Sequence, residues 1–325
     1  MAVMSTSHFM APMGGGIVCR RARPEELQTA VGMILGSPGW PAPAAQVAEF
    51  INSSPQRRID VQAMWVAEGK ASAVESSGKL IWAVLPILNP GKTLLLLTSF
   101  QMDDSMFPAV SLLVGEICGH YARQGVQLAQ VLLEPQHDSA RRLFAAAGFM
   151  DIAELIYLQT QVPRHAKPAA VWQGMRWLEY CAEAHGLFAE AILQTYRDSL
   201  DCPALSGLRD IEDVISGHQA TGQFDPTLWR LLLQADRPMG VLLLSGIPQT
   251  DGTELVYLGV VPEARGRGLG TILMQHAMEL TLREHRRRLS LAVDSRNAPA
   301  LKLYYRFGMQ QVATRWAMIR DLRVS

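Results

Sequence analysis

The same spacing of apolar residues occurs in two segments of the chain, QHDSARRLFAAAGF and RNAPALKLYYRFGM. In the first, Phe144 belongs to an apolar set at i, i+3, i+4 and i+7, which forms one face of a helix that a glycine ends. In the second, Tyr304 holds the equivalent position 160 residues later. The pattern predicts two helices with the same place in two related halves.

The predicted elements follow the same order in both halves. The first half predicts a strand at IVCRRARP, helices near 25–35 and 43–52, strands near 61–68, 73–86 and 92–99, a helix over 105–123, the strand QLAQVLLE, the helix 136–149 and the strand DIAELIYLQTQV. The second half predicts a strand at VWQGMRWLEY, helices over 183–200 and 209–220, strands at 227–235, 238–247 and 253–261, a helix over 268–286, the strand LSLAVD, a helix over 297–306 and a last strand over 309–320.

This order of elements indicates an internal tandem repeat. A meander of strands followed by strand–helix alternation predicts a mixed α/β sheet in each half. The chain of 325 residues is long enough for two ordinary domains. We predict domains at 17–162 and 168–322, joined by the segment PRHAKPAA as a linker.

Composition then narrows the class of protein. The 30 basic and 30 acidic residues cancel, which argues against a nucleic-acid binder held by bulk charge. Four cysteines without metal-ligand spacing fit a reducing cytoplasm. The apolar run around Pro86 is broken by proline and by NPGK, so it predicts two buried strands rather than a membrane span. The N-terminal MAVMSTSHFMAPMGGG is interpreted as a flexible leader.

The strongest chemical signal is the glycine-rich segment VVPEARGRGLG between a predicted strand and a predicted helix. Glycines tolerate positive φ, and successive amides before a helix N-terminus can bind anionic oxygens. A dinucleotide site would need a glycine where Thr271 stands, and a Walker A loop would need Gly-Lys-Ser/Thr. A plain turn needs neither three spaced glycines nor the two arginines. A pyrophosphate site of another kind is therefore predicted, with charge-assisted donors from Arg265 and Arg267.

These residues resemble those of the GNAT (N-acetyltransferase) superfamily. Arg265, Gly268 and Gly270 fill the family's acyl-CoA pyrophosphate pattern, and NAPALKLYYRFGM resembles its downstream motif. The resemblance covers about 225–320 strongly and extends more weakly back to 168. It implies two tandem GNAT-like domains, each with a mixed, mostly antiparallel sheet flanked by helices, and acetyl-CoA as the acyl donor with no metal.

The resemblance also implies roles for individual residues. Tyr304 is the expected acid that protonates the thiolate, with Tyr305 beside it as a rival, and Glu254 is the expected general base, often acting through water. The alternatives are that Tyr304 is a core aromatic residue and that Glu254 is a solvated carboxylate at the edge of a strand. The backbone at Gly259 and its neighbours is expected to pair with the pantetheine arm. The implied cofactor-binding set is Leu258, Gly259, Val260, Arg265, Gly266, Arg267, Gly268, Leu269, Gly270, Thr271, Asn297 and Tyr304.

Several other segments keep two interpretations. Three aspartates in DSLDCPALSGLRD would attract a cationic amine or act only as caps and turns, namely Asp198, Asp201 and Asp210. Cys202 is expected to be a buried thiol rather than a nucleophile. The run REHRRR is expected to be a solvated helix end rather than a 3′-phosphate site, and His276 a packing or surface residue.

The first half lacks two parts of this chemistry. The stretch SMFPAV stands where RGRGLG stands in the second half, without glycine or arginine, and Phe144 has no hydroxyl. We expect a degenerate first domain that neither binds acetyl-CoA in the standard way nor catalyses.

The leading prediction is a cytoplasmic acetyl-CoA-dependent N-acyltransferase that acts by direct attack of an amine in a ternary complex. The rival is a non-catalytic acyl-CoA sensor or scaffold. The expected acceptor is a small-molecule or peptide amine that the sequence does not identify. We expect a monomer or homodimer without a nucleic-acid or membrane partner.

Overall fold

The computed structural model describes residues 12–13, 17–37, 40–69, 78–99, 104–164 and 171–323. The chain divides into two compact units, Met1–Asp151 with Ala317–Ser325, and Ile152–Trp316. Most of the segment interpreted as a leader, and most of the predicted linker PRHAKPAA, lie outside the described residues.

The first unit is a mixed sheet with helices. Its elements are β1 (Pro12–Met13), β2 (Ile17–Arg21), α1 (Leu27–Leu35), α2 (Ala44–Ser53), β3 (Trp65–Glu68), β4 (Leu80–Asn89), β5 (Thr93–Thr98), α3 (Phe107–Ala122), β6 (Leu128–Leu133) and α4 (Asp138–Ala146). Strands β1 to β5 pair antiparallel in chain order, and β5 pairs parallel with β6. Apolar residues of α1 and α2 pack on β3 and β4 to form a core.

The second unit has the same kinds of element in the same order. They are β7 (Met150–Gln161), β8 (Met175–Glu179), α5 (His185–Tyr196), α6 (Ile211–Gln219), β9 (Trp229–Gln234), β10 (Arg237–Gly246), β11 (Gly252–Val260), α7 (Leu269–Arg283), β12 (Arg288–Asp294), α8 (Ala298–Arg306) and β13 (Gln310–Asp321). Strands β8 to β11 pair antiparallel, β11 pairs parallel with β12, and β12 pairs antiparallel with β7. The mixed, mostly antiparallel α/β fold predicted from the sequence is confirmed.

The sheet of the second unit separates two cores. Helices α7 and α8 cover one face, where Leu255, Leu273 and Leu291 are buried. Helices α5 and α6 cover the other face, where Phe188 and Trp229 are buried. The two faces follow from the apolar residues on both sides of β9 and β10, which predict strands buried on both faces.

The compact units and the predicted domain ranges differ in their closing strands. The ranges 17–162 and 168–322 follow the sequence repeats, whereas most of β7 groups with the second unit and the end of β13 with the first. Strand β7 pairs with β12 along Arg288–Asp294, so the closing strand of the first repeat completes the sheet of the second unit. The repeat boundaries stay a prediction about the sequence.

Three predicted elements start later than predicted, because a short 3-10 turn takes up their first predicted residues. Val61–Ala63, Asp104–Met106 and Pro226–Leu228 are 3-10 turns that precede β3, α3 and β9. Asp60 and Asp225 cap two of them by accepting hydrogen bonds from backbone amides. The apolar pattern located these elements correctly and placed their first residues too early, because a capped turn and a strand start look alike in sequence.

Candidate active site

A cleft opens where β11 and β12 separate. The parallel pairing of the two strands covers Gly252, Thr253 and Glu254 of β11 and ends there. Beyond that point Leu255–Val260 of β11 and Leu291–Val293 of β12 line opposite sides of a cleft of about 630 Å³. A cleft of this size is in the range of small-molecule and cofactor sites.

A β-bulge accompanies the separation. The register of β10 and β11 shifts between Leu243 and Leu244, which pair with Tyr257 and Leu255 respectively, so Val256 has no residue opposite. A bulge bends its strand and increases the local twist. Strand β11 therefore turns away from β12 and presents the backbone from Val256 onward to the cleft. The bulge lies three residues before Gly259 on the same strand.

The glycine loop lies at one end of the cleft. Gly266 and Gly268 have φ of +75° and +86°, and a Cβ on either would meet nothing within 4 Å, so conformation rather than space favours glycine there. Gly268 precedes α7 without a side-chain cap, and buried Leu269 anchors the first turn. The first amides of α7 are those a helix leaves without internal partners. This arrangement can bind an anion, as the sequence predicts.

Arg265 contacts protein carbonyls rather than open space. Its Nε donates to the Val260 carbonyl at 3.1 Å, Nη1 to Asp198 at 2.9 Å, and Nη2 to Thr195 at 2.9 Å and Arg197 at 2.7 Å. Four hydrogen bonds tie the loop to β11 and to the end of α5. The described contacts therefore give Arg265 a structural role, and the phosphate role remains a prediction. The sequence does not indicate these contacts, because three of the four partners are backbone atoms 67 to 70 residues away.

Arg267 differs from Arg265 in its surroundings. It is exposed, and its side chain has no hydrogen bond or ion pair to the residues that the structure describes. It stands between the two positive-φ glycines of the loop. Its guanidinium is therefore available to an anionic ligand bound at the loop.

Two glycines of the predicted set are small for packing reasons. A Cβ on Gly259 would lie 2.7 Å from Thr195 and from the Tyr257 hydroxyl, so the residue makes room for α5. A Cβ on Gly270 would lie 3.1 Å from Leu303, where α7 meets α8. The close approach at Gly259 is made by side chains of the protein, Thr195 and Tyr257.

Tyr304 and Tyr305 lie in different environments. Tyr304 is 7% exposed and lines the cleft, and its hydroxyl has no hydrogen-bond partner within the described part of the chain. Burial and the nearby charge of Asp201 raise its pKa, which keeps the phenol protonated. Tyr305 is 48% exposed and does not line the cleft. The geometry favours Tyr304 over its rival as a proton donor.

Glu254 lies at the point where the strands separate. It pairs with Ser245 on β10 and with Ser290 on β12, and it is half-buried. Burial raises the pKa of its carboxyl, in the direction expected for a general base. It is not among the residues that line the cleft, so its reach to a ligand would need a water molecule.

The loop after α5 is fastened to the end of β12. The Asp294 amide donates to the Asp201 carboxylate at 3.2 Å, and the Cys202 amide donates to the Asp294 carboxylate at 3.2 Å. Arg296 donates to the fully buried Asp294 from Nε and Nη2 and lowers its pKa. We call this reciprocal pair of bonds the aspartate clasp. The sequence named Asp201 as one of three candidates, but nothing in it indicated Asp294.

The remaining candidates are structural. Burial raises the pKa of the Cys202 thiol to about 12, which fits the predicted inert thiol. Asn297 caps α8 by accepting from the Ala300 amide at 3.3 Å, and it also lines the cleft. His276 is buried and stacks on Trp177 with ring centroids 4.0 Å apart, as a packing residue.

The arginine run at the end of α7 holds a turn. Arg286 donates from Nη1 to the carbonyls of Ile247, Thr250 and Gly252, at 2.8 to 3.1 Å. The run lies a whole 15-residue helix from the glycine loop, which is about 22 Å. The described part of the chain has no cluster of three metal-ligating side chains, and none of its helices combines the length and apolar character needed to cross a membrane.

The first unit has the same parallel strand pairing as the second unit but lacks the glycine loop. Strands β5 and β6 pair in parallel at Thr93, Leu94 and Leu95, as β11 and β12 do, but β4 and β5 pair without a bulge. Helix α3 begins at Phe107 after a residue in the right-handed region, so no positive-φ glycine precedes it. Phe144 is fully buried against Phe149.

Comparisons with known proteins agree with this geometry. Residues 192–309 match the model of the Acetyltransferase (GNAT) family. A Bacillus subtilis (strain 168) protein named as a ribosomal protein bS18-alanine N-acetyltransferase is 43% identical over 60 residues, which are 18% of this chain and 40% of that protein. The mycothiol acetyltransferase of Beutenbergia cavernae is 39% identical over 93 residues, 28% of this chain and 31% of the relative.

The chain thus matches less than half the length of these relatives. A GCN5-related N-acetyltransferase from Sphaerobacter thermophilus covers 94% of this chain and 96% of its own at a TM-score of 0.60 and 17% identity, which supports the fold alone. The match to the family model is confined to residues 192–309, the segment that contains the separated strands and the glycine loop.

Proposed function

We propose that the protein is an N-acetyltransferase whose second unit transfers an acetyl group from acetyl-CoA to an amine in a ternary complex. The observation that carries this proposal is a single cleft with an anion-binding loop at one end and Tyr304 inside it. The named activities of the two relatives support acyl transfer.

The residues of the cleft offer contacts that would suit acetyl-CoA. The amides after Gly266 and Gly268, with the Arg267 guanidinium, would hold the pyrophosphate. The backbone of Leu258–Val260 would pair with the pantetheine arm, because the pairing of β11 with β12 ends at Glu254. Acetyl-CoA supplies an activated thioester, whose carbonyl needs polarisation and whose sulfur needs a proton.

Proton transfer falls to two side chains of this chain. Tyr304 stays protonated in its buried position and would give its proton to the departing sulfur. Glu254, whose pKa burial raises, would accept a proton from the acceptor through water. No metal is required by this scheme, since amides and the phenol supply the polar contacts.

The neighbouring tyrosines provide a matched test. CoA release is measured with acetyl-CoA and a panel comprising an alanine-terminated peptide, spermidine and glucosamine. We expect Tyr304→Phe to lower kcat by about 100-fold, with acetyl-CoA affinity unchanged, and Tyr305→Phe to behave as wild type. Equal activity of the two variants would remove Tyr304 from the mechanism. Acetyl-CoA binding without CoA release from any amine would favour the sensor or scaffold.

We further propose that the first unit is degenerate, and that the protein acts in the cytoplasm as a monomer or homodimer. The missing bulge, the missing glycines and Phe144 support the first point, and four free cysteines support a reducing compartment. Calorimetry on the full chain tests the degeneracy. One acetyl-CoA site per chain is expected, and two sites would contradict it.

A further inference from the structure

The aspartate clasp places one carboxylate of the α5–α6 loop in the cleft. Asp201 lines the cleft together with Tyr304 and Tyr257, whereas Glu254 does not. The clasp leaves Asp201 little freedom, because its carboxylate accepts from the Asp294 amide while the next amide along the loop donates back to Asp294. Asp201 is therefore a carboxylate held at a defined place in the cleft.

A second observation marks this place as a ligand site. Only 7% of Tyr304 is exposed, and the residue lines the same cleft. Its hydroxyl has no hydrogen-bond partner among the residues that the structure describes. This hydroxyl is not one of the fully buried polar atoms without a partner, so a ligand or water in the cleft can reach it as a hydrogen-bond partner. The charge of Asp201 is near enough to raise the pKa of Tyr304.

The surroundings of Asp201 suit a base. Desolvation of its carboxylate and the charge of Asp294 raise its pKa against the hydrogen bonds from Asp294 and Asn297, while the residue as a whole is exposed. Arg296 is committed to Asp294, and the other titratable neighbours are Cys202, Tyr196, Tyr257 and Tyr304. The hydrogen bonds to the Asp201 carboxylate come from the Asp294 amide and the Asn297 side chain, which are both uncharged. No basic side chain among these described neighbours neutralises its negative charge, which therefore remains to attract a cationic ligand.

We propose that Asp201, rather than Glu254, accepts the proton of the acceptor and binds its ammonium group, which makes a cationic primary amine the substrate class. This rests on the proposed function. Asp201 takes one proton from R–NH3⁺, and the neutral nitrogen bonds to the acyl carbon as the carbon–sulfur bond breaks. Tyr304 gives its proton to the sulfur, and the nitrogen's second proton returns to Tyr304 through water. Asp201 then releases its proton to solvent, so one proton is produced per turnover.

The test compares Asp201→Asn with Asp210→Asn, which removes the same charge from the same loop. Asp210 caps α6 by accepting from the Glu212 amide, and asparagine is an equally good cap. Acetyl-CoA affinity by calorimetry should be unchanged in both variants. With spermidine, kcat/KM should fall about 100-fold in Asp201→Asn and stay at the wild-type value in Asp210→Asn.

A weakly basic amine separates proton acceptance from structural damage. Methoxyamine is neutral at neutral pH, so Asp201→Asn should lower its kcat/KM by less than about a tenth of the effect on spermidine. Equal losses for both amines, weakened acetyl-CoA binding, or a loss in Glu254→Gln but not in Asp201→Asn would each overturn the proposal.

A measurement of amine binding tests the ammonium site even if the protein transfers no acetyl group. If the wild type binds acetyl-CoA but releases no CoA, the proposed function fails, and proton NMR line broadening of spermidine with the CoA-loaded full chain is measured instead. Broadening that Asp201→Asn abolishes and Asp210→Asn retains supports the ammonium site. Equal broadening in wild type and Asp201→Asn, or none in wild type, overturns it.

Discussion

Replacing Arg265 or Arg267 by glutamine should affect different properties of the protein, although both substitutions remove one charge from the same loop. Arg265 donates four hydrogen bonds to backbone carbonyls that join the loop to β11 and α5. Arg267 makes no such contact with the described residues. A glutamine amide at 265 would keep at most two of the donors.

The magnitude follows from the bonds lost. Two or three hydrogen bonds at about 0.5 to 1.5 kcal/mol each, reduced by the partial exposure of Arg265, correspond to about 2 kcal/mol of unfolding free energy. For a unit of this size that lowers Tm by about 4 to 8 °C. Arg267→Gln should leave the free energy of unfolding within about 0.5 kcal/mol of wild type.

Binding should show the opposite order. Arg267→Gln is expected to weaken acetyl-CoA binding and to reduce its dependence on ionic strength, because an exposed charge facing a phosphate is screened by salt. Differential scanning calorimetry and acetyl-CoA titrations at two salt concentrations measure both properties. If Arg265→Gln unfolds like wild type while its acetyl-CoA binding loses the salt dependence, the guanidinium contacts the ligand and the structural role is refuted.

Three further substitutions test the contrast between the units and the burial of the site. Phe144→Tyr should lower the free energy of unfolding by about 1 to 3 kcal/mol, because a hydroxyl would be buried without a partner. Tyr304→Phe should change it by less than about 0.5 kcal/mol. Urea unfolding measures both, and an unchanged free energy in Phe144→Tyr would indicate a polar cavity around residue 144. Burial raises the pKa of Glu254, so the folded state binds more protons and its stability falls as pH rises through the range above the ordinary value of about 4.3. Glu254→Gln should therefore be more stable than wild type at neutral pH, and this difference in the free energy of unfolding should vanish below about pH 4. A difference that grows on acidification would mean that the pKa of Glu254 is lowered rather than raised. Gly270→Ala should cost about 1 kcal/mol in thermal unfolding, since its Cβ would lie 3.1 Å from Leu303; no change would mean that α8 shifts freely.

Local patterns were enough to predict the glycine loop and the elements around the cleft. Gly266 and Gly268 could be recognised because their spacing before an apolar helix has few other uses, and both have positive φ in the structure. Tyr304 could be separated from Phe144 by the repeat alone, since the offset aligns two helices of equal spacing. The mixed α/β fold followed from element order, which depends on periodicity within each segment.

Contacts between distant segments were not accessible in this way. The aspartate clasp joins residues 92 and 93 positions apart, and Arg265 reaches carbonyls nearly as distant. The bulge at Val256 depends on the register with β10, and the grouping of β7 with the second unit depends on its pairing with β12. None of these leaves a periodic signal in the chain.

The sequence by itself determined which residues form helices and strands, where the glycine loop lies, and which repeat carries the tyrosine. The tertiary structure alone decided that Arg265 fastens the loop, that Glu254 stands outside the cleft lining, and that Asp201 stands inside it. The physical reason is that periodicity reports which face of an element is buried, whereas the identity of a polar side chain's partner depends on which strands and loops meet after folding.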